Sequence, residues 1–134
     1  MLQHDYIVDL IRDFCDVVVR ALRQALLFHD LSSTQDVEAA VGQVLDLDAE
    51  CALALSPESL VTMMQLSGVG ESVASYVAYA LDHVGDAYDA ESDPAGPVRH
   101  AQAKAIATAF NCPAGEVPEE FEGLERELDE AKGN

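Results

Sequence analysis

The chain has 134 residues, and its seven Lys and Arg face twenty-five Asp and Glu for a formal charge of −18. That length suits one hydrophobic core, and that charge opposes approach to nucleic-acid phosphate or to an anionic bilayer. Apolar residues make up 49% of the chain, but aromatics only 6% with no Trp, so Ala, Val and Leu must fill the core, which favours close helix packing.

In chain order, residues 5–28 come first. Ile7, Leu10, Ile11, Phe14, Val17, Val18, Ala21, Leu22 and Ala25 recur at three and four residues, with Asp and Arg between them. That periodicity predicts one long amphipathic helix. "HDLSST" reads as a break, with Ser33 or Thr34 placed to cap the next helix. Val37 to Leu47 predict a shorter second helix, and "DAECALAL" one or two further turns in which Cys51 is expected to be buried. "LSPESL" is a strong start signal: Ser56 offers a capping oxygen, and Pro57 suits the first helical position. This helix is expected to end near Leu66, before Gly68 and Gly70.

Residues 71–91 predict the next long helix, with Val73, Val77, Ala80, Leu81, Val84 and Tyr88 on one stripe and Ser75, Asp82, Asp86, Asp89 and Asp93 on another side. "ESDPAGP" reads as a turn, followed by an Ala-rich helix over 97–110. The Glu-rich end, with a thin stripe of Phe121, Leu124 and Leu128, is expected to dock, to pair with another chain or to stay loose. No segment alternates as a half-buried strand does. The expectation is an all-α bundle of five or six helices: a single domain over 1–112 with an acidic helical tail over 113–134, and the first helix lying across a hairpin formed by 71–91 and 97–110.

Three patterns bear on function. Gly68-Val69-Gly70 spells the turn of a helix-hairpin-helix, a motif whose free amides receive a nucleic-acid phosphate. Glu71 and Ser72 follow it, and no Lys or Arg lies between Arg23 and Arg99. A plain connection between two helices is therefore preferred, and nucleic acid is the alternative. Leu81, Gly85 and Tyr88 resemble the first helix of a tetratricopeptide repeat, with Leu81 in place of the usual Trp; Gln102 stands where the second helix expects an aromatic. Asp82, Asp86, Asp89 and Asp93, with His83 beside them, form a row at helical spacing. Such a row could gather a cation, but like charges at this spacing ordinarily face water, and we read it as an acidic interaction face.

More broadly, "DYIVDLIRDF", "LALSPESLVTMM" and "YVAYALDHVGDAYDAESD" followed by an Ala-rich helix resemble a family of short bacterial proteins, a domain of unknown function with a tetratricopeptide-like hairpin in its second half. The resemblance spans about residues 5–110; it implies a fold and assigns no activity. No nucleophile elbow or phosphate loop is present. His4, His29 and His100 are isolated in sequence and are expected at the surface or near helix caps. The reading is a non-enzymatic interaction or structural module with no catalytic residue, cofactor or metal, engaging an unidentified protein or a second copy of itself as a homodimer, and not a membrane. Cys15, Cys51 and Cys112 are too few and too scattered for a disulfide framework, "MLQHDYIVDL" lacks a secretory pattern, and no run reaches the ~18 apolar residues of a membrane span. Cytoplasmic residence is the expectation.

Overall fold

The apolar spacing read along the chain does become helix. The computed structural model describes residues 2–113 and 115–133, and among them there are seven α-helices and no strand: α1 Leu2–Leu27, α2 Thr34–Leu45, α3 Ala49–Leu53, α4 Pro57–Leu66, α5 Gly70–Ala90, α6 Ala95–Ala109 and α7 Glu122–Gly133. The side chain of His4 lies outside the described residues. No helix among the described residues is long and apolar enough to cross a membrane.

Helix starts follow local chemistry. Ser56 accepts from the Ser59 amide at 3.2 Å, with Pro57 at the first helical position, as expected. Asp48 does the same for α3 through the Cys51 amide at 3.1 Å. The expected cap on α2 is corrected: a short 3-10 turn over Leu31–Ser33 precedes it, so the free amides arise one turn earlier and Asp30 accepts from Ser32. Ser33 makes no side-chain cap, and Thr34 donates to the Leu31 carbonyl. The α6 helix also begins earlier than 97. Asp93 accepts from the Ala95 amide at 2.9 Å, and Pro97 fits within the first turn, where no helical partner for an amide exists.

Helix ends depart further from expectation. His29, Asp46, Ser92 and Asn111 take positive φ of 56–58°, so four left-handed terminators are not glycine. After α2, α5 and α6 the next amide reaches back five residues, as in Leu47 to Gly42 and Asp93 to Tyr88, closing the last turn.

Packing is organised around α5, of whose 21 residues 12 are buried. Buried on nearly all sides, it is the bundle's central helix. It forms an antiparallel hairpin with α6 and meets α1, α2 and α4 on its other sides, while α1 packs chiefly on α2 and α5. The hairpin is thus covered jointly: α4 lies against α6, and the first helix does not span the pair alone. Val18, Leu22, Val37, Val41, Leu60, Met64, Val73, Val77, Leu81, Val84 and Ile106 are almost fully excluded from solvent. The C-terminal segment docks, since Phe121, Leu124 and Leu128 join the same core and Phe121 stacks on Tyr79 at 4.5 Å. Cys51 is exposed, against expectation, because α3 turns Ala52 and Leu53 inward instead.

Candidate functional site

Asp82, Asp86 and Asp89 recur at four and three residues and share one face of α5. Asp93 leaves that row, lying past the end of the helix where it caps α6. The structure brings to the row a residue that looked isolated in sequence. His100 of α6 sits between the carboxylates, with Nδ1 2.7 Å from Asp82 Oδ1 and Nε2 2.8 Å from Asp89 Oδ2 and 3.5 Å from Asp86 Oδ1.

Two missing side chains make this approach. A Cβ on Gly85 would stand 2.8 Å from the His100 ring, and one on Gly96 would stand 1.9 Å from Asp89 Oδ1. Gly85, singled out by its repeat-like spacing, therefore seats a histidine. Leu81 is fully buried, and Tyr88 donates through its hydroxyl to Glu38 at 3.1 Å.

On the other side of Asp86 lies His83, buried on α5. Its Nδ1 is 3.0 Å from Asp86 Oδ2 and its Nε2 is 3.1 Å from Glu125 Oε1 on α7. Tyr79 donates to the same Glu125 oxygen at 2.8 Å and packs edge-on against the imidazole. A continuous polar chain thus runs from Tyr79 through Glu125, His83 and Asp86 to His100, joining α5, α6 and α7. It borders an open groove of about 510 Å³ also lined by Lys104 and Cys112.

In both histidines each ring nitrogen faces a carboxylate oxygen. Only the imidazolium has a hydrogen on both nitrogens, so the geometry fits two cations. Burial of His83 disfavours its charge, but the hydrogen bond it donates to Asp86 and the charges of Asp86, Glu125 and Asp82 outweigh that, and its pKa lies above the ordinary histidine value. For His100 the same opposition of burial against Asp82 and Asp89 ends in the same direction. Asp86 is lowered: burial opposes ionisation, but His83 and then His100 favour it more.

Atoms of Asp86, Asp89 and His100 that could ligate a cation lie within 4.8 Å of one another, and the His100 ring pairs with both carboxylates. Tyr79 is raised by burial and by Glu125, and Cys112 by burial and Glu116, so both stay protonated and neither is an activated nucleophile. The groups are arranged to hold helices together.

A second buried network went unread in the sequence. Arg99 donates to Glu38 at 2.8 Å, to the Leu53 carbonyl and to Gln102, while the amide of the fully buried Gln102 donates to the carbonyls of Leu53 and Leu55. The polar residue at the expected aromatic position thus closes the end of α3. Among the described residues, no buried side-chain nitrogen or oxygen lacks a partner.

The Gly68-Val69-Gly70 turn is occupied by its own chain. Ser67 Oγ accepts from the Val69 amide at 3.3 Å and the Ser67 carbonyl from Gly70 at 3.4 Å. Glu71 beside it is exposed. Comparison of the chain with protein-family models, with curated proteins and with solved structures finds no match.

Proposed function

We propose that the protein is a non-enzymatic interaction module that pairs with a second copy of itself through α1. The observation that supports this is a cleft of about 840 Å³ running along α1, in which Val8, Ile11 and Val19 are flanked by Arg12, Arg20 and Arg23, with Tyr76 and Glu120 on the opposite wall. Three of the chain's seven cations line this one cleft. Val8, in the cleft, and Tyr6, two residues before it, are 47% and 60% exposed.

The charge order along α1 favours a second copy as the occupant. Along the cleft Arg12 and Asp16 precede Arg20 and Arg23, so an antiparallel two-fold pair sets Asp16 of each copy against Arg20 of the other. Apolar contacts from Val8, Ile11 and Val19 supply the affinity, and the rim charges set direction. The nucleic-acid alternative has less behind it, since the Val69 and Gly70 amides have partners and an exposed carboxylate follows them.

Sedimentation equilibrium tests the proposal. The wild-type chain should be dimeric at about 100 µM, within reach of a modest interface, and Ile11→Glu should be monomeric with an unchanged helical circular-dichroism spectrum. A wild-type chain that stays monomeric rejects self-pairing, as does a folded Ile11→Glu variant that dimerises normally.

A further inference from the structure

The contact between His83 and Glu125 joins the central helix to the last one, and it depends on a proton. We propose that it is a proton-operated latch: with His83 protonated, α7 is held against α5, and loss of that proton releases the hold.

The geometry carries the idea without reference to the reading of α1. Asp86 and Glu125 stand 3.0 and 3.1 Å from opposite nitrogens of one ring. A neutral imidazole donates from only one of them, so one carboxylate is left facing a lone pair, with a second carboxylate across the ring. Both tautomers carry that defect. His83 is 8% exposed and the Glu125 side chain 27%, so water replaces the lost donor only in part.

The surroundings leave few substitutes for the missing charge. From α5 the ring is faced by Tyr79, Asp82 and Asp86, and from α7 by Glu125 and Lys132. The α1–α2 link brings His29, α6 brings Lys104 and, through Asp86, His100, and the segment before α7 brings Glu116. Lys132, at the solvent end, is the α7 cation in this setting, and it is exposed. Apart from His83, α7 is held by Phe121, Leu124 and Leu128, by Tyr79 through Glu125, and by an Arg23–Glu127 pair in which both side chains are well exposed. That pair is forked, two guanidinium nitrogens meeting Glu127 at 3.1 and 2.8 Å, but it is open to solvent and screening, whereas the imidazolium is the buried charge that ties α7 to α5. Its raised titration point agrees in direction, since docking that favours the proton must be favoured by it.

Amide hydrogen exchange on the full chain, treated with chelator so that no metal contributes, tests the latch from about pH 5 to about pH 9 while the ring 15N shifts of His83 report its charge. Protection of α7, corrected for intrinsic exchange, should fall about tenfold through the His83 transition. His83→Gln should show low protection of α7 at every pH, and His100→Gln should keep the step. Glu125→Gln removes the same contact from the other helix, and it serves if His83→Gln does not fold. Flat protection of α7 while His83 titrates overturns the latch, and so does a step that survives in His83→Gln or in Glu125→Gln.

Discussion

Glu38 and Arg99, 61 residues apart in the chain, meet at 2.8 Å in an ion pair whose side chains are only 14% and 13% exposed. Arg99 also supplies hydrogens to Leu53 and Gln102, so one guanidinium ties α2, the end of α3 and α6. Arg99→Met leaves Glu38 and the Leu53 carbonyl without that donor. Removing one partner of a buried pair costs about 3–5 kcal/mol, and the urea midpoint of Arg99→Met should fall by a corresponding amount. Arg99→Lys, which cannot reproduce the forked geometry, should recover only part of it.

The turn before α5 separates two glycines that look alike in sequence. A Cβ on Gly70 would stand 1.9 Å from the Met64 carbonyl oxygen, whereas one on Gly68 meets nothing within 4 Å. Gly70→Ala forces backbone to move and should cost about 1–3 kcal/mol, as overpacked sites do. Gly68→Ala should stay within about 0.5 kcal/mol of the parent. Thermal denaturation of the two variants checks the difference. If the turn served a phosphate instead, binding to single- or double-stranded DNA would appear at low salt and fall steeply as salt is added; we expect none.

The two histidines set the alkaline side of the stability profile. Both have folded pKa values above the ordinary histidine value, so their contribution is full below about 6.5 and is lost as pH rises through the raised values. Asp86 acts in the opposite sense: its folded pKa is lowered, so its contribution is present above about 3.9 and is lost as pH falls through the lowered value. Stability should therefore decline on both sides of a weakly acidic plateau. Gly85→Ala places a methyl where the His100 ring lies. The ring can swing out, so the variant should fold, and urea midpoints measured across pH should show a shallower alkaline decline with the His83 share remaining.

How much of this was legible follows from the range of each interaction. The stripes of α1 and α5 and the Ser56–Pro57 start are written within one or two turns, and they read correctly because periodicity and capping are local. The acidic row was visible for the same reason. What makes it a cluster is His100, 18 residues from Asp82, and what completes it is Glu125, 42 residues from His83. Neither pairing leaves a local trace. Gln102 looked like a departure from a repeat pattern until Leu53 and Leu55 were seen to need its amide. The one hint available in advance was Gly85, whose absent side chain marked a close helix approach without naming the ring that fills it.

The helix ends yield a prediction that no sequence pattern suggested. Ser92, after α5, holds φ at 56° while its neighbour Asp93 donates its amide to the Tyr88 carbonyl at 2.9 Å. A residue with a Cβ is strained in this left-handed region by roughly 1–2 kcal/mol, whereas glycine enters it without that clash. Ser92 is exposed, and its side chain is at the surface beyond the acidic row, so removing it should disturb no packing. Glycine also gives the unfolded chain more freedom, which offsets part of the gain. Ser92→Gly should therefore stabilise the protein by about 0.5–1 kcal/mol, read as a higher urea midpoint at unchanged slope. Ser92→Val, with a branched Cβ at the same φ, should lower the midpoint, and a reversed order of the two variants would show that the α5 terminus relaxes out of the left-handed turn in solution.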